Sequence, residues 1–426
     1  MSSILTNNSA MVALQTLKGI NSNLEKTQQE ISTGKSVANA RDNAAVWAIS
    51  KVMESDASAF DSISSSLNLG SSTVSVARSA SEQVTELLSE VKDKIVASQE
   101  ENVDRAKIQD DIVVLRDQIS SIVGAAQFNG MNLLSNRQGG ATVAQIVGNT
   151  GAGKGIKGSS EMSVLSSLDR SSTGSVKASS IVASKGDLGT QALTWGAGTD
   201  LAATAITGAG AIAAGASATL TVAGDTATVA RGGNAVLAGD GYSVSGLTGI
   251  SANIRYVARD GDTQADIAKG LVARINYEAE KAGVKITAEM DGTAGVKITN
   301  GTTAGITTTT AVSTAGTAAG GLALLGEIDV TTTEGGNAAL AAIEGLTQTA
   351  IKAASEFGAA EKRIDIQNEF VGNLVDSLKS GIGSLVDADM EEASARLQAL
   401  QVQQQLGVQA LSIANQAPQS ILSLFR

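Results

Sequence analysis

The chain has no cysteine, no histidine and one proline, Pro418. Without cysteine and histidine there can be no disulfide, no thiol nucleophile, no Ser-His-Asp triad and no zinc site built on those residues. Haem and iron–sulfur ligation of the usual kinds are excluded with them. Aromatic residues make up only 2 % of the chain although hydrophobic residues make up 42 %. The apolar content is therefore Ala, Val, Leu and Ile, which suits helix seams and small-residue β structure. It also leaves few rings to stack on bases or sugars. Acidic residues outnumber basic ones, 42 to 31, for a net charge of −11. Such a surface repels phosphate backbones and anionic lipid, so neither nucleic acid nor membrane is an expected partner. No secretory leader is read: the first lysine is Lys18, and no continuous apolar core precedes a cleavage site. Residues 201–224 are uncharged but mostly Ala, Gly and Thr, too weakly apolar for a membrane span.

At 426 residues the chain has room for about three domains. Glycine divides it unevenly, with 5 in residues 1–137, 34 in 138–335 and 7 in 336–426. The two ends read as helical arms and the middle as a turn-rich insertion. In the first arm, alternating steps of three and four pass through Val46, Ile49, Met53, Asp56, Phe60, Ile63, Leu67, Gly70, Val74, Ala77, Ser81, Val84, Leu88, Val91 and Ile95. Twelve of these fifteen positions are apolar, where composition alone gives about six. Gly34 is placed to end a preceding helix, and Asp42 to cap this one. A second seam, Ile108, Ile112, Leu115, Ile119 and Ile122, is out of phase with the first, so a turn is expected near 99–104. In the last arm the same steps run from Ile343 through Leu346, Ala350, Ala353, Phe357, Ala360, Ile364, Gln367, Val371, Leu374, Leu378, Gly381 and Leu385 to Ala388. One helix cannot bury its own stripe. The economical solution packs 46–95, 108–123 and 343–388 into one coiled-coil-like bundle, with the start and end of the chain side by side.

The outermost seams are weaker. Leu14, Leu17, Asn21, Leu24, Gln28 and Ile31 form one, and Leu397, Leu400, Gln404, Gly407, Leu411 and Ala414 the other. Polar or small residues interrupt both, so both ends are expected to be coil in a free monomer and helical only in an assembly. In the middle, 218–230 reads as two strands about a Gly-Asp turn. Residues 262–282 read as an amphipathic helix through Ile267, Leu271 and Ile275, with strands at 284–288 and 295–299. The fold class is thus α+β multidomain: a helical bundle formed by both termini, carrying a β-rich (α+β) outer insertion.

Little in the sequence carries chemistry. Residues 148–155, GNTGAGKG, fit the phosphate-loop frame, but Gly155 stands where a Mg²⁺-ligating hydroxyl belongs and a poor helix start follows. They are read as a surface loop. Glu100–Glu101 and Glu391–Glu392 are read as solvated carboxylates at helix ends. Thr307–Thr310 is read as a solvated loop and a candidate O-glycosylation stretch. No catalytic residue, metal site or cofactor is expected.

The arms resemble a known family. The opening fifty residues are similar to the N-terminus of bacterial flagellins, including the turn Ser32-Thr33-Gly34 and the run Arg41-Asp42-Asn43-Ala44-Ala45. Gln127-Phe128-Asn129-Gly130, followed by Leu133 and Leu134, resembles the motif that closes the family's N-terminal part. Ala414-Asn415-Gln416-Ala417-Pro418-Gln419-Ser420, with Leu422 and Leu424, resembles its C-terminus. The middle is more weakly similar to an outer module of flagellar filament and hook-associated proteins.

The resemblance implies a structural subunit, exported by the flagellar type III apparatus, that polymerises beneath the distal cap into the extracellular filament used for swimming. It implies core helices at 1–40 and 389–426, bundle parts at 41–137 (opening with a β-hairpin) and 336–388, and a surface domain at 138–335. Leu14, Leu17, Leu24, Ile31, Leu397, Leu400, Leu411, Ile421, Leu422, Leu424 and Phe425 are then the core-helix and subunit-interface candidates. Expected partners are further copies of the chain, the cap and hook-junction proteins, and an export chaperone at the C-terminal helix. A hook–filament junction protein with similar termini is the alternative. The stretch that an innate immune receptor binds in many flagellins corresponds to residues 88–97 here. Its exposed positions diverge: Glu90 reverses a basic charge and Lys94 replaces an apolar residue, with Lys92 and Asp93 between them. Receptor binding is therefore expected to be weak. On the residues alone, Glu90 and Lys94 also read as an i,i+4 surface pair.

Overall fold

The computed structural model describes residues 7–135, 161–170, 176–198, 201, 203–223, 236–250, 253–259 and 261–424. Six helices lie among them: α1 (Asn8–Thr33), α2 (Ala44–Ala97), α3 (Arg105–Ala125), α4 (Gln264–Lys281), α5 (Thr333–Val386) and α6 (Met390–Leu424). Their ends follow from local chemistry. The Asn7 side chain accepts a hydrogen bond from the Ala10 amide at the start of α1, and Gly34, at φ +68°, ends it in the left-handed conformation. Asp104 accepts from the Lys107 amide and opens α3, so the turn falls where the phase break puts it. At α2 the expectation needs correction. Asn43, not Asp42, takes the capping position, its Oδ1 accepting from Val46 N at 3.2 Å. Asp42 instead closes the loop before it, accepting from the amides of Ala38 and Asn39 at 3.1 Å each. That loop also replaces the hairpin expected at the start of the 41–137 segment.

The hairpin lies at the other end. Strands β1 (Gln127–Phe128) and β2 (Met131–Asn132) pair Gln127 with Asn132 and Phe128 with Met131. Asn129 and Gly130 between them both have positive φ, 50° and 78°. This is the type I′ geometry that Asn-Gly adopts most readily, because its twist matches the flanking strands. The family-like motif is therefore a turn specification. Asn132 then holds Val123 O and the Leu134 amide, while Leu133 and Leu134 are buried.

The chain divides into two compact units: residues 1–65, 167–177 and 368–426, and residues 66–166 and 178–367. In the second unit the heptad reading holds residue by residue. Leu67, Gly70, Val74, Ala77, Ser81, Val84, Leu88, Val91 and Ile95 of α2 are all buried, as are Ile343, Leu346, Ala350, Ala353, Phe357, Ala360 and Ile364 of α5. Ile112, Leu115 and Ile119 of α3 are buried with them, and Val123 takes the place expected of Ile122. Ion pairs mark the antiparallel register of α2 and α5: Arg78 to Glu361 at 2.6 Å and Lys92 to Glu344 at 2.7 Å.

In the first unit the pairing of α2 with α5 is looser. Ser64 donates to Asn368 and Lys379 pairs with Asp61 at 3.4 Å. Ile63 and Val371 are buried, but Phe60, Leu374 and Leu378 are only half-buried, and Ile49 and Leu385 are exposed. Val375 is buried instead of Leu374, because the stripe here moves by four where the reading stepped by three.

The outer elements, all within the second unit except for residues 167–177, build several small sheets. Strands β3 (Glu161–Arg170) and β4 (Val176–Ser184) form a pair. A four-stranded antiparallel sheet runs β10 (Ile286–Asp291), β11 (Gly295–Asn300), β7 (Ser217–Val222), β5 (Ile206–Thr207). A three-stranded one runs β13 (Thr309–Ser313), β8 (Gly241–Ser245), β9 (Ile254–Val257), and β6 (Ala211–Ile212) pairs with β12 (Ile306–Thr307). Helix α4 starts at a capping box of Thr263 and Asp266. It buries Ile267, Leu271 and Ile275 in one core with Leu220, Val296, Ile298, Tyr242 and Ile254. The strands at 218–222 and 295–299 and the helix sit where the sequence puts them. However, β7 pairs with β5 and β11, and the second half of the expected 218–230 hairpin lies outside the described residues, as does the 148–155 loop. Thr307–Thr310 is not a solvated loop. Its residues belong to or flank β12 and β13, and Thr308 is buried, its hydroxyl bonded to the backbone of Gly210.

Candidate assembly interface

Among the described residues, the terminal helices carry several large apolar side chains that the chain leaves exposed, Met11, Val12, Leu14, Val402, Leu406, Val408 and Ile413 among them. α1 and α6 pack antiparallel, contrary to the expectation of coil ends, because the residues that interrupt their seams answer one another. The amide of Gln404 donates to Asn21 Oδ1 at 2.8 Å, joining the two polar interruptions. Gly407, the small interruption, is a notch: a Cβ there would stand 3.1 Å from Leu17 and 3.7 Å from Ile20. Asn7 closes the far end by donating to Ala414 O.

On α6, the expected Leu397, Leu400, Gln404, Gly407, Leu411 and Ala414 are buried or half-buried, and Ala393 extends them by one turn. On α1 the observed stripe is Ala10, Ala13, Leu17, Ile20, Leu24, Thr27 and Ile31. Leu14 is displaced from it and 45 % exposed. Thus Leu17, Leu24, Ile31, Leu397, Leu400 and Leu411 are all buried or half-buried within the chain. Leu424 ends α6, while the side chains of Ile421, Leu422 and Leu424, and Phe425 entirely, lie outside the described residues.

α6 also carries a second apolar stripe, outside the seam expected of it. Val402, Leu406 and Ile413 are 56 %, 57 % and 68 % exposed. At 3.6 residues per turn they fall within about 40° of one another, on the face opposite the α1 seam. A helix apolar on two faces is built to be covered twice. Helical periodicity applied to α6 with both phases, rather than the better one, would have found it. Two acidic residues in the first turn, Glu391 and Glu392, have amides that Asp389 accepts from, and Glu392 pairs with Arg396. These are helix-end carboxylates, as expected.

In the 88–97 stretch, Leu88, Val91 and Ile95 are fully buried in the bundle. Lys94 does not pair with Glu90. Its ammonium meets Asp111 on α3 at 2.6 Å, and that hydrogen bond and charge hold its pKa above the ordinary lysine value. Lys92 is engaged by Glu344, whose carboxyl the hydrogen bond and charge in turn hold down. Glu90 and Asp93 are exposed.

The other polar concentration lies beside a cleft of about 790 Å³ in the second unit, lined among others by Asp187, Tyr256, Arg259 and Asp262. Tyr256 donates to Asp262 Oδ2 at 2.7 Å, the Arg259 amide donates to the same oxygen, and the Arg259 guanidinium pairs with Asp187 at 2.9 Å. Burial raises the pKa of Asp262 and, more strongly, that of Tyr256. These groups spend their hydrogen bonds on each other, pinning the segment that leads into α4.

Two family descriptions match the arms: "Bacterial flagellin N-terminal helical region" over residues 4–139 and "Bacterial flagellin C-terminal helical region" over residues 340–425. Flagellin A of Rhizobium meliloti is 37 % identical over 438 aligned positions, which take in 100 % of both chains. The chain belongs to the bacterial flagellins. It is a structural protein, a subunit that polymerises into the flagellar filament outside the cell. Flagellin FljK of Caulobacter vibrioides is 29 % identical over 100 % of this chain and 99 % of that one. The crystal structure of FlgL from Xanthomonas campestris is similar at 12 % identity with a TM-score of 0.35, covering 77 % of this chain and 98 % of that one. A likeness of that size carries no argument for the junction-protein alternative.

Proposed function

We propose that the open stripe of α6, Val402, Leu406 and Ile413, is where further copies of the chain seat. Leu14 and the tail residues Ile421, Leu422, Leu424 and Phe425 extend that contact. In this reading the α1–α6 pair (1–40 and 389–426) forms the filament core. The bundle segments 41–137 and 336–388 form the shell around it, and 138–335 faces solvent. The observation that carries the proposal is the second apolar face of α6, which α1 does not cover. The chain acts by packing and has no catalytic role. Before assembly, the same exposed face is suited to an export chaperone during passage through the type III apparatus, and the cap and junction proteins meet it at the filament's two ends.

Removing residues 419–426, or changing Val402 and Ile413 together to Ser, is expected to abolish seeded polymerisation while leaving helical circular dichroism unchanged. Filaments of normal length by electron microscopy from both variants would overturn the proposal.

We also propose weak engagement of the flagellin-sensing immune receptor. A surface that pairs with a basic side chain would meet Glu90, and an arginine hot spot contributes about 2 kcal/mol or more. Reporter-cell signalling by the unmodified monomer should be weak and rise in Glu90→Arg. Signalling already equal to that of a flagellin with the basic motif would contradict this.

A further inference from the structure

We propose that Asn129 is a site of spontaneous, time-dependent modification, at which its side-chain amide becomes a carboxylate through reaction with the backbone of Gly130. The chain has two Asn-Gly pairs, at 129–130 and at 300–301, and the fold treats them oppositely. Glycine matters because it has no side chain to block approach of its own nitrogen to the preceding amide. Asn129 and Gly130 form the exposed tip of the two-residue turn between β1 and β2. The Asn129 side chain has no hydrogen bond to any described residue, and a Cβ on Gly130 would meet nothing within 4 Å. Reaching the reactive geometry requires rotation of this tip alone, and such tips open at little cost in free energy.

Asn300 is fully buried. Its Nδ2 donates to the carbonyls of Ile212, Ala213 and Ala304 at 3.1, 3.2 and 2.8 Å. Its Oδ1 accepts from the amide and the hydroxyl of Thr302 at 3.0 and 2.6 Å. The nucleophile that would attack it, Gly301 N, is itself committed to Lys285 O at 2.8 Å. All of these must break before reaction.

The step balances with water as the only co-reactant. Gly130 N gives up its proton to solvent and attacks Asn129 Cγ. The new N–Cγ bond closes a cyclic imide, the Cγ–Nδ2 bond breaks, and Nδ2 leaves as ammonia. Water then opens the imide at either carbonyl. Opening at the side-chain carbonyl leaves an aspartyl residue, and opening at the main-chain carbonyl leaves an isoaspartyl one. The isoaspartyl product adds a backbone carbon to a two-residue turn, so the pairs Gln127 with Asn132 and Phe128 with Met131 cannot both persist. The change therefore loosens the exit from α3 and adds a negative charge. It is a mark of elapsed time.

The test incubates the purified full-length chain, folded and in denaturant, at mildly alkaline pH. Proteolytic peptides are followed by mass spectrometry, with isoaspartate identified by methyltransferase labelling. In the folded chain Asn129 should convert about tenfold or more faster than Asn300, given the hydrogen bonds holding the latter. In denaturant the two rates should converge. Equal rates in the folded chain would overturn the proposal. So would an Asn129 that reacts only in denaturant, or labelling that persists undiminished in folded Asn129→Gln.

Discussion

The α2–α5 seam of the second unit and the α1–α6 pair use the same heptad spacing to opposite ends. From Leu67 to Ile95 and from Ile343 to Ile364 every seam position is buried, and α3 and the outer elements leave the stripe no open side. Along α1 and α6 the contact is narrow, made of Ala, Gly, Thr and amide side chains as much as of leucine, and a second stripe of α6 stays open. Periodicity alone says that a helix needs a partner. The number of apolar faces says how many partners, and how many of them the same chain supplies.

The largest effect that would break this contrast is in the closed seam. Leu88→Ala should lower monomer stability by about 3 kcal/mol, by lost burial and the cavity left behind. Ile413→Ser should shift it by no more than about 0.5 kcal/mol yet raise the subunit concentration needed for polymerisation. Urea denaturation beside a sedimentation assay separates the two, and equal destabilisation would remove the distinction. A smaller effect is expected of Gly407→Leu, which overfills the notch under Leu17 and Ile20 at about 1–3 kcal/mol. Hydrogen exchange should rise in α1 and α6 while α3 stays protected. The smallest concerns whether charge or burial closes the bundle. Glu344→Gln removes the exposed pair with Lys92, and it should leave the thermal midpoint unmoved in both low and high salt. A marked drop that salt abolishes would assign the closure to electrostatics.

Where one phase of the pattern dominates, the sequence was legible. The seam from Leu67 to Ile95, the helix at 262–282 and the stop at Gly34 are each specified by residues that have no competing arrangement. Where two phases compete, it was not. Steps of three and four from Leu14 and from Ala10 share Leu17, Leu24 and Ile31, and the two readings differ in Ala13, Ile20 and Thr27 against Leu14, Asn21 and Gln28. Leu14 is more apolar than Ala13, but Ile20 and Thr27 are more apolar than Asn21 and Gln28, and the close approach at Gly407 also selects Ile20. Asp42 and Asn43 are both good capping residues; only the backbone path of 38–42 decides between them. The Asn21–Gln404 bond needed the antiparallel register of two distant segments, which neither segment encodes alone. For the proposed assembly surface, the exposed stripe at Val402, Leu406 and Ile413 is present in the pattern but masked by the choice of a single best phase.

The break between α1 and α2 and the break between α5 and α6 occur at the same place. Gly34 O accepts from the Ala388 amide, and the amide of Ser36 donates to Val386 O at 2.7 Å, with Lys35 and Asp387 bridged between them. Two chain segments some 350 residues apart therefore leave the terminal pair together, laced to each other. Mechanically this is a ribbon rather than a swivel. Torque applied to the paired ends is shared by two strands in parallel, and neither can twist freely without shearing the bonds to the other. A terminal pair held in this way turns only with both of its connections together, not about either one alone.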